Sequence, residues 1–102
     1  MKIQNNKVLL RDKELQFDMR IIEAVECDEK LVIVFDTDED DGYDNVFCYT
    51  LDKKLLWRIK PAPVNISGTA RSPYVGVDIM DGNCRAIDFF GRRLIYKPYY
   101  LR

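Results

Sequence analysis

Apolar positions along this chain recur with a period of two or gather in short β-branched runs. Strand and turn signals therefore dominate from end to end. Val8-Leu9-Leu10, a turn at Arg11-Asp12-Lys13, and Glu14-Leu15-Gln16-Phe17 read as a hairpin. In it Leu15 and Phe17 alternate with Glu14 and Gln16. Residues 21–27 read as a strand, although Ile21-Ile22 and Ala24-Val25 also permit a short helical turn. Asp28-Glu29-Lys30 is a polar turn. Leu31-Val32-Ile33-Val34-Phe35 is the most hydrophobic run, and it predicts a central strand buried on both faces.

Further strands are predicted over 45–51 and 55–59, separated by Asp52-Lys53-Lys54, with the only Trp, Trp57, on the second. Residues 60–73, with Pro61, Pro63, Gly68 and Pro73, read as the longest loop. Strands over 74–80 and 84–89 flank the hairpin signal Asp81-Gly82-Asn83, and a last short strand covers 93–96. The expected architecture is an all-β single domain of seven to nine strands, an antiparallel sandwich or stacked, twisted sheets. Its expected core is Leu31, Ile33, Phe35, Phe47, Tyr49, Leu55, Trp57, Val75, Val77, Ile79, Ala86 and Ile87.

Hairpin turns at Asp12-Lys13, Asp52-Lys53 and Gly91-Arg92 recur about every 40 residues, the period of a propeller blade. A closed propeller needs at least about four blades. A chain of 102 residues holds fewer, so the sheets are expected to stack on one another. The alternative is that regularly spaced hairpins occur in any all-β chain.

Two segments carry a resemblance. One runs from Asp44-Asn45-Val46-Phe47 through Asp52-Lys53-Lys54 to Leu55-Leu56-Trp57-Arg58-Ile59. The other runs from Tyr74-Val75-Gly76-Val77-Asp78 to Ala86-Ile87-Asp88-Phe89-Phe90-Gly91. Together they resemble small bacterial all-β proteins with blade-like repeats. Some of these look like immunity proteins of contact-dependent growth inhibition toxin systems. The turn departs from the pattern, with Lys53 or Lys54 where a Gly is expected. The resemblance implies a non-enzymatic protein that binds and neutralises a cognate toxin in the bacterial cytoplasm.

Composition narrows the chemistry. The chain has no His, so the commonest general base and the usual partner of Ser and Cys nucleophiles is missing. Cys27, Cys48 and Cys84 are isolated and odd in number, which argues for buried free thiols over a disulfide framework or a zinc site. No apolar run has the length of a membrane span, and the N-terminus lacks the apolar stretch of a secretory signal. Neither a cofactor nor a metal is expected. Asp78 and Asp88, on neighbouring strands, are the one carboxylate pair worth weighing for catalysis. Alternation with apolar neighbours already accounts for both.

Charge is uneven although the net is only −1. Residues 1–51 carry 13 acids and 6 bases, and residues 52–102 carry 4 acids and 10 bases. The densest cluster is Asp36, Asp38, Glu39, Asp40, Asp41 and Asp44, with Tyr43 among them. Asp36-x-Asp38-x-Asp40 opens like a calcium loop but lacks that loop's Gly at position six and Glu at position twelve. The cluster reads either as a solvated loop or as a docking surface for a basic partner, with Tyr43 as an anchor. The second reading fits a toxin whose active site is built to hold phosphates. The opposite charge gathers around Arg85, Arg92, Arg93 and Lys97 with Phe89, Phe90 and Tyr96. A sequence pI near 5.4 argues against a nucleic-acid footprint there. The alternative function is a structural or self-associating interaction module; the sequence does not set an oligomeric state.

Overall fold

The computed structural model describes residues 1–36, 45–59, 74–80, 83–88 and 93–95, with the backbone alone for 80, 88 and 93–95. They form ten strands in three antiparallel sheets and, among the described residues, no helix. None, therefore, is long and apolar enough to cross a membrane.

The first sheet is the meander of β1 (Lys2–Gln4), β2 (Lys7–Leu9) and β3 (Glu14–Gln16). The second, in order, is β4 (Ile21–Cys27), β5 (Lys30–Phe35), β6 (Val46–Thr50) and β7 (Leu55–Arg58). The third is β8 (Tyr74–Met80), β9 (Asn83–Asp88) and β10 (Arg93–Ile95), with β9 in the middle.

The four-stranded sheet lies between the other two. On β5, Leu31, Ile33 and Phe35 point to one face, where they pack with Val8 and Leu15 of the first sheet, with Phe17 just after β3, and with Ile21 and Ala24 of β4. Val32 and Val34 point to the other face. There they join Val46 and Cys48 of β6, Ile59, Tyr74 and Val77 of β8 and Ala86 of β9. The central strand is thus buried on both faces, as its unbroken apolar run predicts. Each such side chain contributes about 1.5–3 kcal/mol by leaving water.

The stacked all-β class agrees with the sequence, and the count of ten exceeds the expected seven to nine. The extra strand is β1, where Ile3 is the only apolar residue and the hairpin pairing of Ile3 with Val8 supplies what the pattern lacks. The 21–27 segment is strand throughout, with a bulge between Ile21 and Glu23 that explains its helix-like Ile21-Ile22 and Ala24-Val25 pairs. Of the expected core, Leu31, Ile33, Phe35, Val77 and Ala86 are buried, and Phe47, Tyr49, Trp57 and Ile87 are half-buried. Leu55, Val75 and Ile79 are exposed instead. Val75 sits in a second bulge, between Tyr74 and Gly76, and Leu55 lies beside a third, where β6 pairs β7. A residue in or beside a bulge leaves the alternation, so strict period-two reasoning misplaces Val75 and Leu55, while Val77 beyond the bulge is buried; Ile79, in the same phase as Val77, lies next to the β8–β9 turn.

The ends of the stack differ. At one end the central sheet turns at Asp28-Glu29 and again over 51–54, and β8 and β9 are joined across two residues. The Lys13 ammonium, from the β2–β3 turn, reaches the Asp52 carboxylate there at 3.0 Å, so two of the repeated turns meet. The long connections 37–44 and 60–73 leave from and return to the opposite end. Ile21 pairs Phe35 at that end, and Tyr74 pairs Asp88.

Candidate functional site

The acidic connection begins where β5 ends. Asp36 is its described member: the backbone N–H donates to the Arg20 carbonyl at 2.8 Å, and the carboxylate lies 3.8 Å from the Arg20 guanidinium. Both side chains are well exposed, so this pair is worth little in stability. Asp38, Glu39, Asp40, Asp41, Tyr43 and Asp44 lie outside the described residues. What the structure gives is the base from which they emerge.

That base is built on Asn45, the one buried polar residue among the described residues, at 1% exposure. Its amide Nδ2 donates to the carbonyls of Phe35 and Tyr74, each at 2.8 Å. Its Oδ1 accepts the Tyr74 N–H, also at 2.8 Å. The side-chain amide therefore pairs with Tyr74 in both directions, as a neighbouring strand would. An Asp there could not donate, and an apolar residue would remove all three of these hydrogen bonds. The main chain adds a bond from Phe35 N–H to the Asn45 carbonyl at 2.9 Å, and one from Ile59 N–H to the Val46 carbonyl at 2.9 Å. One small cluster thus fixes both ends of the 37–44 connection and both ends of 60–73. Among the described residues no buried side-chain nitrogen or oxygen lacks a hydrogen-bond partner.

The other candidate chemistry is placed as follows. Asp78 faces Arg85 across β8 and β9 in a bidentate pair, Nε to Oδ1 at 2.8 Å and Nη2 to Oδ2 at 2.7 Å, with the arginine side chain only 16% exposed. Asp88 is in register with Tyr74, at the far end of β8, so register does not set the two carboxylates against each other. Arg85 is thereby committed to Asp78. Arg92, Lys97, Phe89, Phe90 and Tyr96 lie outside the described residues, and Arg93 contributes backbone to β10.

All three cysteines are free. Burial pushes the Cys48 thiol up to about 11 and the Cys84 thiol up to about 12. Both hold their protons at neutral pH and are poor nucleophiles. Tyr49 is also raised by burial, within a row of rings formed by Phe17, Phe35, Phe47 and Tyr49. The Arg58 guanidinium covers the Phe47 ring at 4.5 Å, and the Lys53 ammonium covers Phe17 at 5.2 Å.

Sequence reasoning placed Asn45 as the first residue of a strand and gave it no role. A polar residue before an alternating run looks like a turn residue, and its distant partner Tyr74 has no local signature. The Asp78–Arg85 pair was equally hidden, because its partner is defined by hairpin register.

A family model described as a domain of unknown function (DUF7957) matches residues 1–95 of the chain. No curated protein matches it. No solved structure matches it either.

Proposed function

The chain belongs to the DUF7957 family, and we propose that it is an immunity protein, one that binds a cognate bacterial toxin in the cytoplasm and occludes its active site with an acidic surface. The observation that carries this reading is the base of the acidic connection. Six carboxylates fall within nine sequence positions, and the chain enters and leaves them at backbone groups fixed by Asn45. Dense like charge steers a basic partner, and a fixed base lowers the ordering cost of binding. The two described thiols with raised values and the arginine-bound Asp78 suit a scaffold better than a reaction centre.

The test is to express the chain with the product of the neighbouring open reading frame and purify them together. A stable, salt-sensitive complex is expected, and Asp38→Asn, Asp40→Asn and Asp41→Asn combined should slow association about tenfold or more. Loss of the partner at low salt, with a neighbour harmless to cells lacking this chain, would defeat the proposal.

A second reading, a self-associating interaction module, is favoured by β7. Among the described residues it is an edge strand, and Leu55 and Leu56 are 51% and 41% exposed. Sedimentation that stays concentration-dependent without the acidic residues would support it.

A further inference from the structure

Strands β4 and β8 belong to different sheets but start at the same end of the molecule and run the same way, Ile21 level with Phe35 and Tyr74 held by Asn45. Each carries a bulge in its first two steps. The residues after the bulges meet: a Cβ on Gly76 would lie 3.0 Å from Glu23 Oε2 and 3.5 Å from Ile87 Cδ1. Gly76 therefore leaves room for a carboxylate at the seam between the sheets. The residues just before them, Ile22 and Val75, are β-branched and apolar, yet 43% and 39% exposed. Bulges re-aim side chains, and here each bulge lies next to the point where Glu23 meets Gly76.

Glu23 is half-buried and has no hydrogen bond or ion pair among the described residues. The arginines on the two strands' flanks are engaged elsewhere, Arg20 with Asp36 and Arg85 with Asp78. The seam thus offers an unpaired carboxylate, with exposed apolar residues at the chain positions just before Glu23 and Gly76. That combination matches a lysine, whose methylene stem lies along apolar surface while its ammonium meets the carboxylate.

We propose that the β4–β8 seam, Ile22, Glu23 and Val75 around Gly76, is a docking notch for a lysine side chain of the basic partner protein. The choice of partner rests on the toxin-binding reading; the lysine chemistry rests on the seam. The notch adds an apolar anchor beside the acidic connection, and Asp36 joins that connection to β5 at the same end of the sheet.

The test uses the full ¹⁵N-labelled chain titrated with pentalysine and followed by amide chemical shifts. The expected result is saturable, salt-sensitive movement of the Ile22, Glu23, Val75 and Gly76 amides. Glu23→Gln, which is isosteric, should shrink those movements about fivefold or more while leaving the rest of the spectrum in place. Movements confined to 36–44, with the seam silent, would overturn the notch and leave the acidic-surface reading standing. Movements at the seam with 36–44 silent would support the notch and count against that reading. Seam amides that shift with protein concentration alone would assign the site to a second copy of this chain and also overturn the proposal.

Discussion

At one end of the molecule the strands of the central sheet reverse within two to four residues; at the other, connections of eight and fourteen residues are held at their roots. The tight end spends backbone conformation. Asp28 and Glu29 take φ of 52° and 61°, and Lys53 takes 68°, all in the left-handed region that Gly occupies most easily. The long end relies on side-chain hydrogen bonds through Asn45, while the two-residue β1–β2 turn at this end combines both devices, Asn5 at φ 55° and Asn6, whose Nδ2 donates to the Phe17 carbonyl at 2.8 Å. The Asn5 and Asn6 carbonyls also accept the N–H groups of Ile21 and Phe17. Short turns are determined by local geometry, whereas long connections need a distant partner to fix their ends.

Breaking the long end should therefore have the largest effect. Asn45→Ala leaves the Phe35 carbonyl and both backbone groups of Tyr74 without their buried partner. At about 1–3 kcal/mol per stranded group, partly relieved by water, the expected loss is about 3–5 kcal/mol in urea unfolding. Asn45→Asp should cost a similar amount, since a carboxylate cannot donate to the two carbonyls and would be buried. A loss under about 1 kcal/mol would show that the Asn45 bonds do not hold this end together.

The next effect concerns the layer between the second and third sheets. An unfolded thiol ionises near the ordinary value of 9.0, whereas folded Cys48 and Cys84 hold their protons to about 11 and about 12. The unfolded chain thus releases protons first as pH rises. The stability from burying neutral thiols is complete below pH 9 and is lost as pH climbs through 9 towards 11–12. Between pH 8 and pH 10 the fall should be about 2–3 kcal/mol for the two thiols together, and Cys84→Ala should remove about half of that slope. A slope unchanged in Cys84→Ala would mean that this thiol ionises alike in the folded and unfolded chain.

The same contrast explains what the sequence made legible. The 31–35 run announced a strand buried on both faces, because β-branched residues without alternation have few other uses. The resemblance put the missing Gly at Lys53 or Lys54 without choosing between them, and it is Lys53 that adopts the left-handed φ. The bulges at Ile22 and Val75 were not legible, because each breaks the alternation on which the core assignment depends, and Val75 was consequently placed inside. Asn45 was invisible for the converse reason: its meaning lies in Tyr74, twenty-nine positions away. The acidic cluster was legible as composition; the hydrogen-bonded base beneath it was not.

The tight end can be improved where the long end can only be damaged. Glu29 is exposed and makes no ion pair among the described residues, so nothing offsets its left-handed backbone. Glu29→Gly should stabilise the protein by about 0.5–1 kcal/mol, the relief of the turn exceeding the added freedom of the unfolded chain. A lower midpoint in urea would mean that the Glu29 side chain contributes something its contacts do not reveal.

Lys53→Gly is the sharper and smaller test, because here the same backbone relief competes with a contact. The turn keeps its bonds without the lysine side chain: Lys53 N–H donates to the Thr50 carbonyl at 3.0 Å, and Lys54 N–H donates to Thr50 Oγ1 at 3.0 Å. What Gly removes is the ammonium over the Phe17 ring at 5.2 Å, worth about 0.5–1 kcal/mol at an exposed site. The two effects are of opposite sign and similar size, so the net change should lie within about 0.5 kcal/mol of zero and below the gain from Glu29→Gly. If Lys53→Gly stabilises as much as Glu29→Gly, the ammonium contributes nothing. Lysine then stands at a glycine position without energetic compensation, as glutamate does at position 29. If it destabilises clearly, the contact to Phe17 ties the turn to the first sheet. The tight end would then depend on a distant side chain in the way the long end depends on Asn45.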